Sequence, residues 1–179
     1  IRVHTFTFNP FSENTYVLIN GKDAAIIDPG CYTTQEQNEL ATFIEDNQLN
    51  VVGVWNTHCH IDHVMGNAFC VGKYNCPLLI PEHELELLKA TPQYGQMWGI
   101  NAEESPEPSA YIGSKLTLGS EELEVRSAPG HSPDHKVFIH HSSKTVIGGD
   151  VLFNGSIGRT DLPGGNFQTL EKSCLLYTS

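Results

Sequence analysis

Val51-Val52-Gly53-Val54-Trp55-Asn56-Thr57-His58-Cys59-His60-Ile61-Asp62-His63 is the stretch that decides how this chain folds and what it holds. Its first five residues are a short apolar run, which reads as a buried strand. Its last seven carry three imidazoles and one carboxylate, the nitrogen and oxygen donors that borderline divalent metals prefer. If the chain stays extended beyond the strand, His58 and His60 share a face and Cys59 points the other way, which leaves Cys59 out of the donor set. Asp62 and His63 sit where a helix expected over Val64–Lys73 begins, so the backbone turns there and presents a second pair of donors. Two donors at each of two adjacent places is the layout of a dinuclear site. A surface histidine cluster is the plainer alternative, disfavoured because two more donor-bearing segments lie downstream.

Those segments are Ala128-Pro129-Gly130-His131-Ser132-Pro133-Asp134-His135 and Val146-Ile147-Gly148-Gly149-Asp150-Val151-Leu152-Phe153. In each, a donor follows an apolar strand at a glycine-containing bend, which is how a rigid sheet aims a ligand from its edge. With these residues the chain closely resembles the metallo-β-lactamase superfamily over residues 3–172. Within it, the chain is similar to the hydroxyacylglutathione hydrolase (glyoxalase II)-like branch of small bacterial hydrolases. The resemblance assigns His58, His60 and His131 to a first metal, Asp62 and His63 to a second, and Asp150 to a bridge between them. It implies two divalent ions in the complete protein, zinc first, with iron or manganese as alternatives. Asp28, in Ile26-Ile27-Asp28-Pro29-Gly30, matches an early family aspartate and is read as orienting a ligand rather than binding metal. His135 matches a supporting position and is counted with Asp62 among the catalytic residues, although Asp134 replaces the more usual glycine before it. His4, His83, His140 and His141 match nothing and are expected on the surface or in strands.

The resemblance also implies a last histidine ligand, from a Gly-His-Gly segment after Gly158-Arg159-Thr160-Asp161-Leu162-Pro163-Gly164-Gly165, and this chain stops at Ser179 before any such segment. The ending Ser173-Cys174-Leu175-Leu176-Tyr177-Thr178-Ser179 is read as not continuing the helix that starts at Phe167. The domain is therefore drawn over 1–172, lacking its last strand and helix, with 173–179 as a non-native tail. A natural variant with a weakened second site is the alternative. On either reading about one tightly held ion per chain is expected, because only the first site has three histidines plus Asp150.

With 179 residues the chain suits one domain with one substantial core. No apolar run reaches the ~18–20 residues that span a bilayer, and the N-terminus lacks a signal-peptide pattern. The five cysteines include no Cys-x-x-Cys pair, so free thiols in a reducing cytoplasm are expected. A net charge of −11 with ten unclustered Lys and Arg argues against a nucleic-acid partner. The expected partner is a small-molecule substrate; the oligomeric state is not legible.

Strands are expected at Val3–Phe8, Thr15–Ile19, Ala24–Asp28, Val51–Asn56, Leu78–Ile80, Lys115–Leu118, Leu123–Ser127, Lys136–His140 and Thr145–Asp150. Helices are expected over Gln35–Gln48, capped by Thr33 or Thr34, and from Pro81 through Lys89. A Pro- and Ser-rich loop, Thr91–Ser109, follows. Its Tyr94, Met97, Trp98 and Ile100 suit either a lid or a loop packed down by those side chains. Arg159 and Asp161 could orient substrate or simply hold their own loop. The order of elements suits two face-to-face sheets with helices outside, which the resemblance names as the α/β four-layer αββα sandwich.

A divalent metal lowers the pKa of bound water from ~15.7 towards ~7 and so supplies hydroxide at neutral pH. No Ser-His-Asp or Cys-His nucleophile is then needed. The expected activity is metal-dependent hydrolysis, with a thioester of the acyl-glutathione type as the substrate that the resemblance implies. Two alternatives stay open: a mononuclear iron enzyme similar to persulfide dioxygenases, and an inactive fragment that keeps a structural metal. A true β-lactamase is disfavoured, because Asp150 matches the bridging carboxylate of the hydrolase branch.

Overall fold

Burial along the strands sets the layers of this computed structural model, which describes residues 1–175. Arg2–Phe8 (β1), Glu13–Asn20 (β2) and Asp23–Ile27 (β3) form an antiparallel meander. β3 is apolar at every position from Ala24 to Ile27, and its side chains divide by parity. Ala24 and Ile26 enter one core, Ala25 and Ile27 another. Such a strand needs a layer on each face.

One layer is helical. Thr34–Asp46 (α1) brings Leu40 and Ile44 against Ala24 and Ile26. It starts at a capping box, in which Thr33 Oγ1 accepts from Glu36 N at 3.2 Å and Glu36 Oε2 accepts from Thr33 N at 2.7 Å. Asn50–Trp55 (β4) then lies parallel to β3, with one register shift between Ala24 and Ala25. Next come two short helices, Ile61–Val64 (α2) and Asn67–Tyr74 (α3). Leu78–Ile80 (β5), the helix Leu85–Met97 (α4) and Ala110–Tyr111 (β6) complete a six-stranded sheet in the order β1-β2-β3-β4-β5-β6.

The other layer is a second sheet. Lys115–Leu118 (β7), Glu121–Ser127 (β8), Lys136–His140 (β9) and Thr145–Ile147 (β10) run antiparallel in the order β10-β9-β8-β7. Leu116, Leu118, Leu123, Val125 and Phe138 face Ala25, Ile27 and Trp55 across the inter-sheet core. β9 again divides by parity: Phe138 points to this core, while Val137 and Ile139 point outward. A hairpin, Leu152–Phe153 (β11) and Ser156–Ile157 (β12), precedes the helix Phe167–Leu175 (α5), whose Leu170 covers Val137 and Ile139. Helix, sheet, sheet and helix are thus stacked as expected, an αββα sandwich. Among the described residues no helix is long and apolar enough to cross a membrane.

Four local expectations are corrected. The helix expected over Val64–Lys73 is broken at Met65–Gly66, where Gly66 N donates to Pro29 O at 2.7 Å and a Cβ would run into Cys31 Sγ. The helix expected to end at Lys89 runs on to Met97 with Pro92 inside it. Buried Leu88, Thr91 and Gly95 lie on one face, and that packing outweighs the proline. The strand expected to reach Asp150 ends at Ile147, because Gly149 turns at a φ of 49°. Finally, α5 passes Lys172 and includes Ser173, Cys174 and Leu175. Ser173 is buried and its hydroxyl donates to Pro129 O at 2.8 Å. Residues 176–179 of the expected tail lie outside the described residues.

Candidate metal centre

The donors sit where strands of both sheets end. β3 and β4 are parallel, so Asp28 and the Thr57–His60 run leave the first sheet on the same side, joined by Asp28 N donating to Trp55 O at 3.1 Å. The second sheet is stitched to the same place: Lys136 N, at the start of β9, donates to Thr57 O at 2.8 Å. Ala128 N donates to His135 O at 2.7 Å, closing the bend that carries His131.

His58, His60 and His131 place one ring nitrogen each within 4.8 Å of the others. Their tautomers follow from their partners. The single proton of the Thr57 hydroxyl goes to Asp28 Oδ2 at 2.6 Å, so the 3.0 Å contact between Thr57 Oγ1 and His58 Nδ1 must be donated by the ring. His58 Nε2 is then a bare lone pair, buried and without a hydrogen-bond partner. His131 likewise spends Nδ1–H on Arg159 O at 2.8 Å, which leaves its Nε2 facing His60 Nδ1 at 2.8 Å. Burial lowers all three pKa values: His58 goes well below the ordinary range, His60 falls to about 3 with help from His131, and His131 falls despite Asp150. Neutral rings with converging lone pairs are what a divalent cation requires. The donor set fits a metal.

Asp62, His63 and Asp150 form a second group, also within 4.8 Å. Asp150 faces both groups, with Oδ1 3.4 Å from His63 Nε2 and Oδ2 3.5 Å from His131 Nε2. Asp62 Oδ2 is 3.5 Å from His63 Nε2. Burial works against charge on His63, yet the carboxylates of Asp62 and Asp150 raise its pKa well above the ordinary value. Burial also opposes charge on Asp150, but His63 holds it below the usual carboxylate range.

Asp28 meets the donor criterion with His58 and His63, but its oxygens are already engaged. Oδ1 accepts from Thr57 N at 2.7 Å, Oδ2 accepts from the Thr57 hydroxyl, and His63 Nδ1 lies 3.2 Å from Oδ2. It orients two histidines from behind. His135 is fully buried; its Nε2 accepts from Asp150 N at 3.1 Å, and its ring stacks on His58 at 4.6 Å between centroids. It therefore supports Asp150 and His58 and lines neither cavity. Cys59 is buried in the helix-side core, and burial, with Glu84 and Asp28 nearby, pushes its thiol well up. His140 is buried at the end of β9, held by Glu121 and Ser143, while His4 stacks on Phe43.

Two cavities reach the donors. One, of about 210 Å³, has walls of Phe11, Ile61, Leu87, Tyr94, Trp98 and Leu162 beside His60, Asp62, His131 and Asp150. The other, of about 260 Å³, is more polar and reaches His63 and Asp150 past Glu13, Tyr16 and Gly149. The segment after α4 divides its duties. Ile100 and Ala102 pack down on Met65, while Trp98 stays 59 % exposed at the cleft mouth, edge-on to Phe11 at 6.0 Å. Arg159 is committed to Asp161 through a two-pronged pair at 2.8 and 2.7 Å, both side chains exposed. Its carbonyl, not its guanidinium, serves His131. Gly158 allows this approach, since a Cβ there would run into Asp150 O.

Sequence reasoning missed Thr57 as the group that sets the His58 tautomer, although it heads the motif. It also missed Glu13 and Glu84. Glu13 is buried near His63 and its pKa is raised well above normal by burial, and Glu84 is fully buried between the two histidine loops. Only a glutamate at a core position of its element signals such roles, and that register is set by tertiary packing.

The family model for the metallo-beta-lactamase superfamily matches residues 8–173. Hydroxyacylglutathione hydrolase GloC of Haemophilus influenzae is 36% identical over 157 residues, 85% of this chain and 72% of that protein. The crystal structure of the BLEG-1 B3 metallo-beta-lactamase superposes with a TM-score of 0.88 at 28% identity, covering 97% of this chain and 84% of that one. That of TTHA1623 in a di-iron-bound form gives 0.87 at 30% identity, covering 97% and 85%.

Proposed function

The chain belongs to the metallo-β-lactamase superfamily of metal-dependent hydrolases, and from that premise we propose that it cleaves a thioester of the acyl-glutathione type. The observation that carries the reading is Asp150, whose two oxygens face the two donor groups. We assign His58 Nε2, His60 Nδ1 and His131 Nε2 to a first ion, Asp62 and His63 to a second, and Asp150 to both. Zinc is the first choice; similarity to a protein with a di-iron-bound form supports iron as the alternative. About one ion is held tightly, because the second group has only three described donors and shares one of them.

A bound divalent cation supplies a water of lowered pKa and polarises the carbonyl it faces. The chain does the rest. Asp62, on the walls of both cavities, accepts a hydrogen bond from the attacking water and orients it. Attack forms the new C–O bond, the C–S bond breaks, and a thiol and a carboxylic acid leave. The apolar walls of the first cavity take the acyl or thiol part and exclude bulk water. Because Arg159 is engaged with Asp161, specificity rests on shape and apolar contact more than on that cation. His135 positions Asp150. Five unpaired thiols support a reducing, cytoplasmic setting.

The test is thiol release from S-lactoylglutathione by zinc-loaded and iron-loaded protein, beside a chromogenic β-lactam and oxygen uptake with glutathione persulfide. Thioester cleavage at about 10⁴ M⁻¹ s⁻¹ or more is expected. β-Lactam turnover or oxygen uptake without thiol release would overturn the substrate, and metal uptake with no turnover of any of the three would overturn the enzyme.

A further inference from the structure

A carboxylate outside the donor set ties the two halves of the site together. Glu84 lies in the one-turn helix Glu82–Glu84 ahead of α4, and it is fully buried. Its Oε2 accepts from Cys59 N at 3.1 Å, and its Oε1 accepts from Asp134 N at 2.8 Å. Cys59 stands between His58 and His60, and Asp134 stands next to His135, which accepts the amide of Asp150. One side chain thus holds one backbone amide on the first-sheet side of the site and one on the second-sheet side. The clasp is reciprocal: Asp134 Oδ2 accepts from His83 N at 3.2 Å, and Asp134 Oδ1 pairs with Lys136 Nζ at 2.5 Å.

We propose that Glu84 is a positioning residue that sets the spacing between the His58–His60 loop and the bend carrying His131 and His135, and with it the cation geometry. This rests on the reading that His58, His60 and His131 hold a divalent ion. Two features of the chemistry fit the task. A carboxyl group offers two acceptor oxygens at a fixed separation, so one side chain can meet two separate backbone amides. Both amides it holds are backbone groups, so it fixes main-chain positions rather than a rotamer. The two rings flanking Cys59 and the bend before His135 then cannot drift apart without opening the clasp.

Glu84→Gln is the discriminating variant, since a side-chain amide has one oxygen and can keep only one of the two amides. Glu82→Gln, exposed in the same turn, is the control. Cobalt(II) is titrated into each metal-stripped protein well below its unfolding temperature, and both the visible d–d spectrum and the affinity are read. A tenfold to hundredfold weaker affinity (roughly the range for losing a supporting partner) with altered d–d bands is expected for Glu84→Gln alone. A lower unfolding temperature with unchanged bands and affinity would make Glu84 a structural residue only and overturn the proposal. No cobalt uptake by the unsubstituted protein would overturn the metal reading itself, and the proposal with it.

Discussion

Replacing Thr57 by Val preserves the β-branched shape and deletes one hydroxyl. That hydroxyl donates to Asp28 Oδ2 at 2.6 Å and accepts from His58 Nδ1 at 3.0 Å, so it fixes which nitrogen of His58 carries the proton. Without it the Nδ1–H is stranded in a site with no solvent access, and an unmet buried donor costs ~1–3 kcal/mol. The ring escapes by moving its proton to Nε2. No hydrogen-bond partner waits there either, but a proton on Nε2 faces the lone pairs of His60 and His131, whose nitrogens lie within 4.8 Å, and so closes the nitrogen a cation needs. Cation binding must reverse the move, so most of the penalty falls on affinity. The expected loss is about 10–100-fold, or ~1.4–2.7 kcal/mol. Asp28 keeps the Thr57 amide at 2.7 Å, so the fold itself is little disturbed. Competition for zinc against a chromogenic chelator measures the affinity, and thermal unfolding of the stripped protein measures the fold. Affinity within about twofold of the unsubstituted protein would refute the tautomer argument. A large fall in unfolding temperature with unchanged affinity would show that the hydroxyl serves the fold alone.

Asp150→Asn keeps the shape but loses the charge shared between His63 and His131, so retained metal per chain after dialysis, read by plasma mass spectrometry, should fall. Its affinity should drop by more than the ~10–100-fold expected for a supporting residue. Glu36→Gln tests the capping box. Although partial burial opposes its charge, the amides of Thr33, Asn9 and Tyr32 hold the Glu36 pKa below its ordinary 4.5. A depressed folded-state pKa contributes stability above the unfolded value, lost as pH falls through the folded one. The variant should therefore unfold more easily at pH 7, by roughly 0.5–2 kcal/mol or a few degrees, and the gap should close below about pH 4. A pH-independent gap in thermal melts would disprove the role of the charge.

The parts of this molecule that were legible are those governed by a single period. The apolar runs at Ala24–Ile27 and Val51–Trp55 announce strands buried on both faces. The first divides between its cores by parity, while in the second the register shift after Val51 breaks the alternation, so Val51 and Val54 share one core and Val52 and Trp55 the other. The same alternation separates His58 and His60 from Cys59, which the structure puts in the core. What was not legible depends on contacts distant in sequence. Pro92 reads as a helix stop until Leu88, Thr91 and Gly95 are buried together. Gly66 reads as an ordinary helix residue until Pro29 and Cys31 crowd it. Glu84 sits in the acidic run Glu82-His83-Glu84-Leu85-Glu86, where nothing local marks it as the buried one.

These distant contacts explain why the donor set is held by sheets rather than by loops. Four of the six donors lie within a few residues of a strand end, His58 and His60 after β4, His131 after β8 and Asp150 after β10, with Asp28 behind them after β3, while Asp62 and His63 sit on α2. The β3 and β4 ends cannot slide past one another, because a one-residue slip would exchange the side chains of two filled cores. The two sheets are fixed to each other at this edge by Lys136 N on Thr57 O and by the Glu84 clasp. A metal geometry inherited from strand register tolerates variable surroundings, and the apolar cleft walls come instead from turns, from helices α2 and α4, and from the segment after α4, Phe11 and Trp98 among them. Residues that choose the substrate are thus separated from residues that hold the cation. A substitution at Trp98 should change which substrate is cleaved and leave cobalt(II) affinity unchanged, whereas one at Thr57 should do the reverse.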